Sequence, residues 1–217
     1  MITIACLHTA PGNEALFEQA AEDVGLPVGV LRHITMPQLL RAAEAAGGLT
    51  PAIEDDVIRV LTSLSRDASA VMLTCSTLGP AVDRLNRTHK LPIPVIRVDR
   101  ALAEAALAQG KATLVLCATS TTLSPTQDLF LQVRENNDQP VETRLVPGAW
   151  PAFLQGDMPR YHALIAQAVT DALAEGAECI ALAQASMSGA RKHIPPHHPV
   201  LTSPHLALSQ LKQTLNW

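Results

Sequence analysis

Short runs of β-branched and apolar residues alternate along this chain with longer amphipathic stretches, and no other feature limits the fold so strongly. The alternation begins with Ile2 to Leu7 and Asn13 to Val24 and repeats to the last residues. It predicts further strands at Val28 to Arg32, Ala70 to Thr74, Pro94 to Val98, Ala112 to Ala118, Val141 to Val146, Cys179 to Ala183 and Val200 to Thr202. Helices are expected at Pro37 to Ala46, Pro51 to Ser65, Leu78 to Thr88, Arg100 to Gln109, Ser124 to Asn136, Pro159 to Glu175 and Pro204 to Leu215. Several open with proline, whose missing N–H costs nothing in a first turn. Such alternation implies right-handed βαβ units and parallel sheets.

The chain also reads as two similar halves with four strand candidates each. The third strand of one half ends at Thr74-Cys75-Ser76-Thr77, and that of the other at Ala183-Gln184-Ala185-Ser186. The first strands end at His8-Thr9 and Ala118-Thr119. The expected fold is therefore α/β, with two pseudo-symmetric Rossmann-like domains. Each is a roughly four-stranded parallel sheet flanked by helices, with the active-site cleft expected between them. The boundaries read as 1–98 plus 204–217 for the first domain and 99–203 for the second. In open parallel sheets ligands bind beyond the carboxyl ends of the strands, where all four segments fall.

Composition narrows the function. Net charge is −4 and the basic residues are scattered, so phosphate backbones find no basic face and no nucleic-acid partner is expected. No apolar run reaches the ~20 residues that span a bilayer, and the N-terminus lacks a charged leader. No membrane partner, and a cytoplasmic location, are the expectations. Cys6, Cys75, Cys117 and Cys179 lack paired spacing and read as free thiols. Aromatics are 3%, which offers few rings for stacking a flavin or a nucleobase. No Gly-x-Gly-x-x-Gly or Walker-type loop is present, which weighs against a nucleotide-dependent enzyme.

The strongest local signal is Cys75, where a buried strand breaks into Ser76 and Thr77 and starts a helix. Backbone N–H groups at a helix start favour thiolate over thiol, as a cysteine base or nucleophile requires. The competing reading is a small buried apolar residue; the hydroxyls that follow weigh for function. A second signal is Thr119-Ser120-Thr121-Thr122, followed by Ser124 and Pro125, more hydroxyls than one helix cap needs. This segment reads as a carboxylate-binding loop. His8 and Thr9 would form another polar wall, although a capped turn explains them nearly as well. The His193-Ile-Pro-Pro-His197-His198 segment is dense in histidine, but its prolines break any helical spacing, so it reads as a solvated loop. No metal ligand set is assigned, and Cys6, Cys117 and Cys179 read as core residues.

In order and spacing these segments resemble the aspartate/glutamate/hydantoin racemase family, and the similarity runs nearly end to end. It rests on Ile4-Ala-Cys-Leu-His8-Thr9, on Cys75-Ser76-Thr77 in place of a Cys-Asn-Thr-like segment, on Gly110 to Thr126, and on Ile180-Ala-Leu-Ala-Gln184-Ala-Ser-Met187. The resemblance implies two Rossmann-like domains, no cofactor, a small carboxylate substrate, and one cysteine from each domain on opposite faces of a carbon acid. It makes Cys75 and the position of Gln184 catalytic, with His8, Thr9, Ser76, Thr77, Thr119, Ser120, Thr121, Thr122, Ala185 and Ser186 as substrate-binding residues. Gln184 stands where the family has its second cysteine, and an amide cannot exchange a catalytic proton. Two-base racemisation is thereby doubtful; Ser186, Cys179 or a histidine near His193 would have to substitute. A one-thiol decarboxylase or lyase, or a non-catalytic carboxylate-binding protein, are the alternatives. A homodimer is the commonest state of a soluble enzyme of this size.

Overall fold

The computed structural model describes residues 2–134 and 139–217. Among the described residues eight strands form, in chain order, β1 Ile4–His8, β2 Leu31–Thr35, β3 Ala70–Leu73, β4 Val95–Arg97, β5 Thr113–Cys117, β6 Val141–Leu145, β7 Cys179–Leu182 and β8 Val200–Thr202. They build two sheets, ordered β2-β1-β3-β4 and β6-β5-β7-β8, with every pairing parallel. The helices are α1 Asn13–Asp23, α2 Pro37–Ala45, α3 Pro51–Leu64, α4 Pro80–Thr88, α5 Val98–Leu107, α6 Leu123–Arg134, α7 Ala149–Leu154, α8 Met158–Ala174 and α9 Ser203–Thr214. Two pseudo-symmetric parallel-sheet halves flanked by helices are what the alternation predicts.

The chain divides into two compact units, one running to Arg100 and taking in Pro204–Trp217, the other Ala101–Ser203. The central strands β1, β3, β5 and β7 are buried throughout, because helices cover both faces of a parallel sheet. In the second unit Leu114, Leu116, Ile180 and Leu182 pack with Tyr161, Ile165 and Val169 of α8. In the first, α9 is tied to the end of α1: Lys212 Nζ donates to Val24 O at 2.8 Å and His205 Nε2 lies 2.8 Å from Asp23 Oδ2. No described helix is long and apolar enough to cross a membrane.

Local chemistry sets the helix starts. Thr50 Oγ1 accepts from Ile53 N ahead of α3, and Asp157 accepts from Arg160 N ahead of α8, each satisfying an amide that the helix leaves unpaired. Strand β2 lies three residues beyond its predicted position. Gly29 adopts φ +77 and Val28 is fully exposed, so Val28 to Val30 belong to a turn that the apolar run disguised. Not predicted among the described residues are α7, which follows Gly148 at φ +76, and the 3-10 segments over Ser120–Thr122 and Ala185–His193. The expected helix to Asn136 forms as far as Arg134; its last two residues lie outside the described ones.

Candidate active site

In each sheet the chain leaves the first strand toward one edge and crosses back to place the third strand on the other side. The order therefore reverses between β1 and β3, and between β5 and β7. The carboxyl ends of such a pair form the crevice in which open parallel sheets bind ligands. The registers are homologous: Ile4↔Ala70 and Leu7↔Leu73 in one sheet become Thr113↔Cys179 and Leu116↔Leu182 in the other. The displacement along the chain is the same for all four residues, and it carries Thr9 onto Ala118, Cys75 onto Gln184 and Thr77 onto Ser186.

Cys75 follows β3 and precedes the 3-10 turn Ser76–Leu78, which leads into α4. It is 8% exposed. Its sulfur receives hydrogen bonds from the Thr9 hydroxyl and from the backbone N–H groups of Leu78 and Thr77. Burial raises its pKa, and these three donors oppose the rise without cancelling it, while the negative charge of Asp99 adds to it. The sequence expectation of a thiol already favouring thiolate is corrected here, because desolvation outweighs the helix start. Ser76 and Thr77 are buried beside it.

Beneath this turn lies a group that the sequence reading missed. Arg97 donates in bidentate fashion to Asp99, at 2.7 and 2.9 Å, and also pairs with Asp83. A side-chain carbon on Gly79 would lie 2.4 Å from the Arg97 guanidinium, so glycine is needed for close approach at an ordinary helical φ.

His8 is fully buried, and both of its ring nitrogens are engaged. Nδ1 lies 2.8 Å from Thr74 Oγ1 and Nε2 lies 2.8 Å from His33 Nδ1. Burial, reinforced by His33 and opposed by Glu14, lowers its pKa to about 4 and keeps the ring neutral. His33 Nε2 in turn meets Glu18 Oε1 at 2.9 Å. His8 thus supports the ends of β1 and β3 from within the first unit. Period-two spacing of Cys6 and His8 was the available signal; their meeting with His33 depends on strand register.

In the second unit the Gln184 side chain points back to the neighbouring strand end. Its Oε1 accepts from Ala118 N–H at 2.6 Å, and its buried Nε2 has no partner among the described residues. Thr119 and Thr122 are buried, Thr121 is half-buried and Ser120 is exposed; Thr119 and Thr121 hydroxyls lie 3.3 Å apart. Ala185 is buried, and Ser186 Oγ is 2.9 Å from the hydroxyl of fully buried Tyr161. Cys179 begins β7, and at ~3.3 Å rise per residue it lies roughly 16 Å from Gln184, so it cannot substitute there. The His193 ring lies near His162, at 6.3 Å between centroids, and the His197 and His198 rings meet in a tilted arrangement at 4.3 Å.

A family described as Asp/Glu/Hydantoin racemase matches residues 10–211 of the chain. Among solved structures, glutamate racemase isoform RacE1 from Bacillus anthracis superposes with a TM-score of 0.72 at 18% identity, covering 100% of this chain and 82% of that one. An aspartate racemase homologue from Pyrococcus horikoshii OT3 gives 0.67 at 15% identity, covering 100% of both chains. Allantoin racemase from Pseudomonas fluorescens gives 0.65 at 16%, covering 100% and 92%. At these identities the structural likeness concerns the fold. A comparison with curated proteins by sequence returned no match.

Proposed function

Because this chain belongs to the Asp/Glu/Hydantoin racemase family, we propose that it is a cofactor-independent isomerase-type enzyme that moves protons at a small carboxylate or amino-acid-like carbon acid through Cys75. The observation that carries this reading is the sulfur of Cys75 at the reversal point of the first sheet, facing the Thr9 hydroxyl and two backbone N–H groups. As a base, the thiolate would take the α-proton while hydroxyls and amides stabilise the enediolate that develops. Returned to thiol, it would give the proton back. Thr9, Ser76 and Thr77 line the Cys75 end, and Thr119 to Thr122, Ala185 and Ser186 are the corresponding substrate-binding segments of the second unit. His8 supports the Cys75 end from behind, since its ring nitrogens are already paired.

A second reading has its own support. Burial keeps Cys75 protonated, and Gln184, with an unpartnered amide Nε2, can donate a hydrogen bond to a carboxylate but cannot exchange a proton. A site of that kind suits one proton delivery, as in decarboxylation. The C–C bond breaks, its electron pair stays on the carbanion as carbon dioxide leaves, the Cys75 S–H protonates that carbon, and water restores the thiol.

The test is deuterium uptake at the α-carbon, and decarboxylation, of a panel of amino acids, hydantoins and malonates in heavy water, followed by NMR. Wild type is compared with Cys75→Ala and Gln184→Cys. Exchange that disappears in Cys75→Ala is expected, and inversion that appears or rises in Gln184→Cys would assign the two-face role to that position. Silence from all three proteins, each shown to be folded, would leave a carboxylate-binding protein in place of an enzyme.

A further inference from the structure

One thiol and two imidazoles converge in the first unit. Cys6 and His8 stand two residues apart on β1 and so share a face of the sheet, and the parallel register sets His33 of β2 opposite Cys6. A ligating atom of each, the Cys6 sulfur and one ring nitrogen of each histidine, lies within 4.8 Å of the other two.

The hydrogens have two consistent placements. Either the Thr74 hydroxyl donates to His8 Nδ1 at 2.8 Å, or His8 Nδ1 carries the hydrogen and the hydroxyl accepts it while donating to Leu7 O at 3.1 Å. A carboxylate only accepts, so His33 Nε2 carries the hydrogen that meets Glu18. His8 Nε2 and His33 Nδ1 meet at 2.8 Å. With the His8 hydrogen on Nε2 they form a ring-to-ring hydrogen bond; with it on Nδ1 both nitrogens present lone pairs to the same point, as two ligands of one metal ion do. The Cys6 sulfur, with a long 4.0 Å contact to Ile4 O, stands beside them.

We propose that Cys6, His8 and His33 form a binding site for one zinc-like transition-metal cation. Thiolate with imidazoles is the donor set that zinc prefers, and in metal sites each ligating histidine donates its far N–H to a carboxylate or another acceptor, the roles taken here by Glu18 and Thr74. Zn–N bonds of about 2.0–2.1 Å in tetrahedral geometry put two ligating nitrogens ~3.3 Å apart, so the rings separate by about half an ångström on binding. The Cys6 thiol gives its proton to water, and a solvent molecule completes the fourth position; no oxidation state changes. The equivalent positions of the second sheet are Val115, Cys117 and Thr143, so the ligand set belongs to the first unit.

The test uses the full chain after chelator treatment, in wild-type and Cys75→Ala forms, so that the other strand-end thiol is accounted for. Co²⁺ should bind with one equivalent and a thiolate-to-cobalt charge-transfer band in both forms, and Zn²⁺ should displace it and raise the melting temperature. Cys6→Ser should lose the band, and His33→Ala should weaken Zn²⁺ binding on the order of 100-fold or more, as for loss of an entire ligand. X-ray absorption of the wild-type zinc form should show one sulfur and two imidazole nitrogens, which decides the matter even if a variant fails to fold. No uptake at micromolar Zn²⁺ would mean that a hydrogen bond alone joins the rings and would overturn the proposal. A band that survives Cys6→Ser, or a metal shell without sulfur, would overturn it equally.

Discussion

The two units share strand order, direction and register, yet they differ at the positions where the registers superpose. Where the first has Cys75, held by the Thr9 hydroxyl and two amides, the second has Gln184, held by Ala118 N–H. Where the first has buried His8 paired with Thr74, the second has Cys117 beside Ala183. A parallel sheet fixes where strand ends gather, because backbone hydrogen bonds set the register whatever the side chains are. It leaves the chemistry of those ends free to diverge. One framework thus carries a protonatable sulfur in one copy and a neutral amide in the other.

The largest effect should come from erasing the difference at the sulfur. Cys75→Ala is expected to lower proton exchange by about 10²–10⁴-fold, the span of a positioned acid or base, while Cys117→Ala lowers it little; NMR exchange rates on the same substrate check both. Copying the second unit's Ser188 into the first, as Gly79→Ser, should force the Arg97 guanidinium aside, because the new Cβ would overlap it. The cost should be about 1–3 kcal/mol in urea unfolding, as for overpacking, against a change within ~0.5 kcal/mol for a surface substitution.

The pH dependence separates the two proton roles. Burial raises the Cys75 pKa, so the thiolate becomes abundant only above the usual thiol range. If the thiolate is the base, kcat/KM of exchange should climb about tenfold per pH unit through neutrality and level off only above the usual thiol range. If the thiol is the acid, as in decarboxylation, the profile should be flat through neutrality and fall at high pH. The smallest effect is expected at Tyr161→Phe, which removes the hydroxyl that meets Ser186 at 2.9 Å. It should cost about 1 kcal/mol, seen as a lower midpoint in urea unfolding.

Much of the fold could be read locally. The short apolar runs and the amphipathic stretches between them placed every strand but β2 within about two residues, and the prolines marked several helix starts. The β2 error has a local cause: Val28 to Val30 are apolar, but Gly29 at φ +77 spends them on a turn. The true strand carries Arg32, His33 and Thr35 because it lies at an edge. Of the site, Cys75 and the hydroxyl segments were legible because strand-to-helix junctions of small polar residues are a local signature. The state of the thiol was not, since it depends on how far the surrounding helices exclude water.

The sequence by itself determined the α/β alternation, the duplication and the residues that stand at strand ends, because these are properties of neighbouring residues. Only the tertiary structure decided that Arg97 lies against Gly79, that Thr9 reaches Cys75, and that Cys6, His8 and His33 meet under Glu18. Those encounters join residues far apart in the chain. They depend on parallel register and on desolvation, and neither quantity is written in any one segment.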